Sequence, residues 1–255
     1  MTKEFLTAML LTTAAGLATV IGSILTLFVR APGVGFMSLT LGFSAGVMVT
    51  VSFLELLPYS ITAVGFVVGN LAFFVGFLFM FAIDFLIPHD FIGQKDRKSD
   101  SAYNSKVLKT GMFVAFGIGI HNFPEGMAVF MGSLKDVHFG MAIAVAIGLH
   151  NVAEGIAVAV PIYAATKSKK KAFWWSFFSG IVEPLGAVFA GLVLLPFLSP
   201  QLFGWLFAGV AGIMVYISFD ELIPLSRSCG GKEHMPILGI FLGMFFMVLS
   251  LFLMN

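Results

Sequence analysis

His121-Asn122-Phe123-Pro124-Glu125-Gly126 and His150-Asn151-Val152-Ala153-Glu154-Gly155 are two versions of one pattern, and each interrupts a long apolar run. That setting is repeated across the chain. Hydrophobic residues make up 59% of the 255 positions and charged residues 11%, against about a quarter charged in an ordinary soluble domain. A soluble core of this length cannot hide so much apolar surface. Runs of roughly 20 apolar residues, the length that crosses a bilayer, recur from end to end. In lipid every backbone polar group must be satisfied within its own segment, so the runs are read as helices. The fold class expected is an all-α integral membrane protein in one transmembrane domain over residues 1–255.

Apolar runs bounded by charge, Gly and Pro predict eight helices, at 5–29, 36–58, 62–87, 107–131, 138–163, 172–195, 202–224 and 235–254. The first run is too long for a signal peptide and lacks a cleavage site, so it is read as a retained helix. Residues 88–106 form the one long polar loop, with Asp90, Lys95, Asp96, Arg97, Lys98 and Asp100. The net charge of +1 gives no basic face for nucleic acid. The single cysteine, Cys229, excludes an internal disulfide. Twelve of the 14 Lys and Arg fall after helices 1, 3, 5 and 7, leaving Lys3 and Lys135 on the other side. Positive residues stay cytoplasmic, which places both termini outside.

Two repeats run through these helices. Ala45–Pro58 on helix 2 matches Ala211–Pro224 on helix 7 at nine of 14 positions, including Glu55 with Glu221 and Pro58 with Pro224. The His-Asn-x-x-Glu-Gly pattern joins helix 4 to helix 5. In the predicted topology the members of each pair run in opposite directions, so both repeats are inverted. A three-two-three arrangement follows, with helices 1–3 related to 6–8 around a central pair, as in transporters with a midplane site.

Seven of the 13 acidic residues lie in or at the ends of the spans: Glu55, Asp84, Glu125, Glu154, Glu183, Asp220 and Glu221. No Lys or Arg lies deep in a span to partner them. Left unpaired, Glu125, Glu154 and Glu183 would together cost roughly 8–10 kcal/mol on the lenient insertion scale. The missing positive charge must be protons or metal ions. His121 and Glu125 are four apart, as are His150 and Glu154, so each pair shares a helix face. Asn122 and Asn151 stand at the edge of that face. Imidazole with carboxylate suits zinc, ferrous iron, manganese or cobalt better than magnesium or calcium. Pro124 breaks the backbone ladder there and frees a carbonyl as a further candidate ligand. Glu183, followed by Pro184, reads as a ligand or a packing residue. Glu55 and Glu221, near the outer and inner helix ends, read as gates or as solvated ends. Asp84 reads as interfacial, Met48 and Met214 as packing, and the in-span glycines as close helix contacts.

The paired motifs resemble those of the ZIP (Zrt/Irt-like) metal transporters, and the resemblance covers nearly the whole chain. Within that family, Ser-x-x-Glu-Leu-Leu-Pro on helix 2, Ser179-Gly180 before Glu183, and Asp220-Glu221-Leu222-Ile223-Pro224 are similar to the bacterial ZupT-type zinc transporters. The resemblance implies a binuclear site. His121, Glu125, His150 and Glu154 hold the first metal position; Asn122, Asn151 and Glu183 hold the second, bridged by Glu125 and Glu154. It also implies Met48 as a further ligand, import into the cytosol across the cytoplasmic membrane, and a homodimer. Zinc, and by extension iron, manganese, cobalt or cadmium, is cargo; no cofactor and no enzyme activity is expected. In the implied uptake by alternating access, Glu55 attracts cations outside and Asp220 with Glu221 receives them inside. Two other readings stay open: a metal-selective channel, and a membrane-bound di-metal oxidase built on His and Glu at helical spacing. Two departures stand out. Ala153 occupies the place where ZupT-type members have Pro, and the loop after helix 3 offers only His89 where relatives are His-rich.

Overall fold

The computed structural model describes residues 3–28, 33–86, 100–194, 199–228 and 233–254, and nearly all of them are helical. Eight helices are seen among the described residues. They are α1 (Lys3–Leu27), α2 (Val34–Val64), α3 (Phe66–Leu86), α4 (Asp100–Lys135), α5 (Val137–Thr166), α6 (Lys169–Phe189, continued by a wide turn at Ala190–Leu194), α7 (Pro200–Ser228) and α8 (Met235–Met254). Seven are long and apolar enough to cross a membrane. The eighth, α4, falls short of that apolarity because His121, Asn122, Pro124 and Glu125 interrupt it.

Several boundaries differ from the sequence reading, among them the start of α4 and the ends of α2 and α7. The first helical turns of α4 lie in what reads as polar loop: the helix begins at Asp100 rather than at 107. Of the predicted loop, residues 88–99, with His89, Asp90, Lys95, Asp96, Arg97 and Lys98, lie outside the described residues, as do Arg30, Cys229 and Lys232. Helix α2 does not stop at Pro58, nor α7 at Pro224. Each prolines' missing N–H is accommodated by one π turn just before it, Ser52–Leu56 in α2 and Ser218–Leu222 in α7. There the amides of Leu57 and Ile223 reach back five residues to the Ser52 and Ser218 carbonyls. Such a bulge shifts the ladder by one residue, so the helix continues past a residue that cannot donate. Helix α2 then ends at Gly65, whose φ of 86° only glycine adopts without strain. Helix α3 starts at the next residue.

The helices sort into two groups by contact. Helices α1, α4, α5 and α6 pack on one another; α2 packs on α8, α3 on α7, and α2 on α7. The groups meet where α2 lies on α5 and α4 on α7. These contacts come in matched sets. Gly16 and Gly180 each pack on the other's carbonyl at the α1–α6 crossing. Gly22 lies on the Val152 carbonyl as Gly186 lies on that of Phe123, and Gly243 on Phe43 as Gly76 on Gly209. Glycine is required at these places because a methyl would occupy the space of the facing backbone.

Polarity is distributed accordingly. The outer faces of α3 and α8 carry exposed Phe66, Leu71, Phe74, Phe85, Phe241 and Phe252. The fully buried His, Asn and Glu side chains lie instead on α4, α5 and α6. This inside-out pattern is that of a chain whose solvent is lipid.

Candidate metal centre

Helices α4 and α5 are joined by Asp136 alone, which forces them to lie antiparallel and side by side. Its carboxylate accepts a hydrogen bond from the His138 amide at 2.8 Å, capping the start of α5. The single-residue connection brings the two His-Asn-x-x-Glu-Gly segments to the same depth. All six of His121, Asn122, Glu125, His150, Asn151 and Glu154 are fully buried.

Their pairing is crossed. His121 Nε2 lies 2.7 Å from Glu154 Oε1, and His150 Nε2 lies 3.3 Å from Glu125 Oε1. Each histidine thus meets the glutamate of the other helix, not the one four residues along its own. Ligand atoms of His121, Glu125 and Glu154 all fall within 4.8 Å of one another, close enough to hold one metal ion. Both amides are oriented from behind. Asn122 Nδ2 donates to the Ser179 carbonyl at 3.0 Å, and Asn151 Nδ2 donates to the Ala15 carbonyl at 3.0 Å and to Glu183 Oε2 at 2.7 Å. That leaves Asn122 Oδ1, Asn151 Oδ1, Glu125 Oε2, Glu154 Oε2 and Glu183 Oε1 buried with no protein partner. Five orphaned acceptor oxygens in one buried cluster call for a cation.

Helix α6 reaches the cluster because glycine removes the barrier. A methyl at Gly126 would run into the Glu183 carbonyl, and one at Gly155 into the Thr19 carbonyl. Helices α6 and α1 therefore approach α4 and α5 at the turns that carry Glu125 and Glu154. Pro124 does not break α4, which continues to Lys135. On the facing helix the Ala153 carbonyl accepts the Ser44 hydroxyl of α2 at 2.7 Å, a bond between the two helix groups.

The remaining candidates lie on either side. Glu55, in the α2 π turn, lines a cavity of about 580 Å³ whose wall includes His150. Tyr59, Ile147, Phe203 and Phe207 complete its more apolar sides, and the cavity opens between the late turns of α2 and α4 and the early turns of α5 and α7. At the other ends of α4 and α7, Glu221 is buried and hydrogen-bonded by Thr110. Asp84, Asp220 and Glu221 have ligand atoms within 4.8 Å of one another, and Tyr216 donates to Asp84 at 2.8 Å. Asp84, interfacial by its place in the sequence, thus belongs with Asp220 and Glu221. Nothing in its spacing reveals this, since α3 and α7 are far apart in the chain. Met48 is fully buried in the apolar core, as is Met214 at the matching place in α7.

A buried His–Glu–Asn cluster between antiparallel helices of an apolar bundle has the donor types and the spacing to hold a divalent metal ion. The family model of the ZIP zinc transporters matches residues 88–251. Curated relatives extend the match to nearly the whole chain. A zinc transporter ZupT of Chlorobium phaeovibrioides is 52% identical, with 97% of each chain covered. One of Streptococcus mutans serotype c is 45% identical, with 99% of each covered, and one of Nitratidesulfovibrio vulgaris 47%, with 95% of each covered. This chain belongs to the ZIP zinc transporter family, and it is a multi-pass membrane protein.

Proposed function

We propose that the chain imports zinc across the cytoplasmic membrane by alternating access through a binuclear site on α4, α5 and α6. The observation that carries this reading is the cluster of buried, orphaned carboxylate and amide oxygens beside two histidines, with no Lys or Arg among them. Imidazole and carboxylate together select zinc-like ions over magnesium and calcium, so iron, manganese, cobalt and cadmium are further cargo candidates. His121, Glu125, His150 and Glu154 hold the first position. Asn122, Asn151 and Glu183 hold the second, with Glu125 and Glu154 bridging. The relatives' names as zinc transporters support zinc as the principal cargo.

The eight helices are eight spans in a three-two-three arrangement with both termini outside. The matched glycine contacts of α1 with α6 and of α3–α7 with α2–α8 support the inverted relation. Transport is a displacement of the α1–α4–α5–α6 group against the other four helices. Ions enter through the cavity beside Glu55, lose their water at His150 and the Glu pair, and leave toward Glu221, Asp220 and Asp84. Among the described residues, contacts between the two groups are mainly those of α2 with α5 and of α4 with α7, which is what such a displacement needs. Met48 is a minor candidate ligand on α2, and a homodimer is the proposed assembly. The test is zinc accumulation in cells expressing Glu125→Ala or Glu154→Ala. Both are expected to fall to the level of cells without the protein; wild-type accumulation in both removes the site assignment.

A further inference from the structure

Four threonines are fully or nearly fully buried among the described residues: Thr12, Thr19, Thr26 and Thr50. Three of them satisfy their hydroxyl in the usual helical way, on the carbonyl four residues back. Thr12 bonds to Ala8 at 2.9 Å, Thr26 to Gly22 at 3.1 Å and Thr50 to Gly46 at 2.8 Å. Thr19 is the exception, and its Oγ1 has no protein partner at zero exposure. The reason is local: its acceptor, the Ala15 carbonyl, is taken by the Asn151 amide of the metal cluster.

The same arrangement exists once more. The Asn122 amide takes the Ser179 carbonyl, and four residues beyond Ser179 stands Glu183. Thr19 and Glu183 are therefore counterparts across the inverted repeat. Backbone contacts agree: a methyl at Gly155 would meet the Thr19 carbonyl as one at Gly126 would meet that of Glu183. At the α1–α6 crossing, Gly180 lies against Thr19 Cβ as Gly16 lies against Glu183 Cβ. Glu183 turns its carboxylate to Asn151. By the same relation Thr19 holds the place beside Asn122 that Glu183 holds beside Asn151, and both the Thr19 Oγ1 and the Asn122 Oδ1 are buried without a protein partner. Ser23 has a similarly orphaned hydroxyl, but its counterpart is Ala187, and no ligand stands at that place on α6.

We propose that Thr19 is a further binding residue of the second metal position, giving it a neutral oxygen on the Asn122 side opposite the charged oxygen of Glu183. The two halves of the site are thereby unequal: one side binds through carboxylate and amide, the other through hydroxyl and amide. An ion held by fewer charges leaves more readily, so the Thr19 side sets how tightly the second ion is kept. This inference rests on the binuclear reading above.

The test is equilibrium zinc binding to the purified full-length protein in detergent, with Thr19→Val, Thr19→Ser and Glu183→Gln beside wild type. Valine keeps the shape and removes only the hydroxyl. Wild type is expected to bind two zinc ions; Thr19→Val should keep the first and bind the second at least about tenfold more weakly, since even groups one shell further out are worth that much. Thr19→Ser should restore it. Wild-type binding of both ions by Thr19→Val, while Glu183→Gln loses the second, overturns the role of Thr19 alone. Loss of both ions in Thr19→Val makes Thr19 a packing residue and overturns it too. A single zinc ion in wild type overturns the binuclear reading itself.

Discussion

The glycine that follows each of Glu125 and Glu154 offers a stringent test of how the proposed centre is built. A Cβ at Gly126 or Gly155 overlaps the facing carbonyl of Glu183 or Thr19, both backbone atoms that cannot turn aside. To reach ordinary contact at 3.4 Å, α4 and α6, or α5 and α1, must part by about 1 Å or more, and overpacking of this kind costs roughly 1–3 kcal/mol. The functional loss should exceed the stability loss. Glu125 and Glu154 stand one residue away, and ~1 Å of misplacement in a constellation can cost about a hundredfold in rate. The chain contains its own control. A Cβ at Gly148, also on α5, finds only Ala18 Cβ at 3.7 Å and Ala15 Cα at 3.9 Å, which is open enough for a methyl. Zinc uptake and thermal unfolding in detergent should be measured for Gly126→Ala, Gly155→Ala and Gly148→Ala. The first two should lose nearly all uptake with lowered stability, and the third should behave as wild type. Equal uptake in all three would refute the claim that close α4–α6 and α5–α1 approach assembles the site.

Ser44→Ala removes the hydrogen bond to the Ala153 carbonyl between the helix groups. It should lower unfolding stability by about 1 kcal/mol and alter the zinc concentration at half-maximal uptake; an unchanged protein on both counts would make that bond incidental. Glu55→Gln leaves the cavity its shape but removes the carboxylate from its lining, so half-maximal uptake should need several-fold more zinc while the maximal rate holds, since cavity charge raises the local cation concentration by about tenfold or more. Lowering the pH should weaken zinc binding, because imidazole and carboxylate ligate only when deprotonated and protons then compete with metal. Equilibrium binding between pH 7.5 and 5.5 reads this directly, and pH-independent affinity would remove His121, Glu125, His150 and Glu154 as ligands.

Much of the centre is written in spacing. His and Glu four residues apart put both on one helix face, and the absence of a basic partner makes the buried carboxylates a candidate cation site. The chain's repeats reveal that α2 answers α7 and α4 answers α5. Spacing on one helix, however, says nothing about which neighbour a side chain meets. The crossed pairs His121–Glu154 and His150–Glu125 depend on the lateral placement of α4 against α5. Likewise Asp84 joins Asp220 and Glu221 only through the packing of α3 on α7. Pro58 and Pro224 read as helix ends because proline cannot donate. The π turn that rescues each ladder has no sequence mark beyond the repeated Ser-Phe-x-Glu-Leu itself. Thr19 is silent in the sequence for a related reason: a threonine in an apolar run is ordinarily satisfied by its own helix, and only the packing, with Asn151 on the Ala15 carbonyl, leaves this one without a partner.

The central claim is that the ions cross through the His–Glu cluster on α4 and α5. Zinc flux into proteoliposomes holding the wild-type chain or the Glu125→Ala/Glu154→Ala double variant, at equal protein content, tests it most directly. Saturable flux in wild type and flux at the level of empty liposomes in the variant is the predicted result. Equal flux in the two would contradict it.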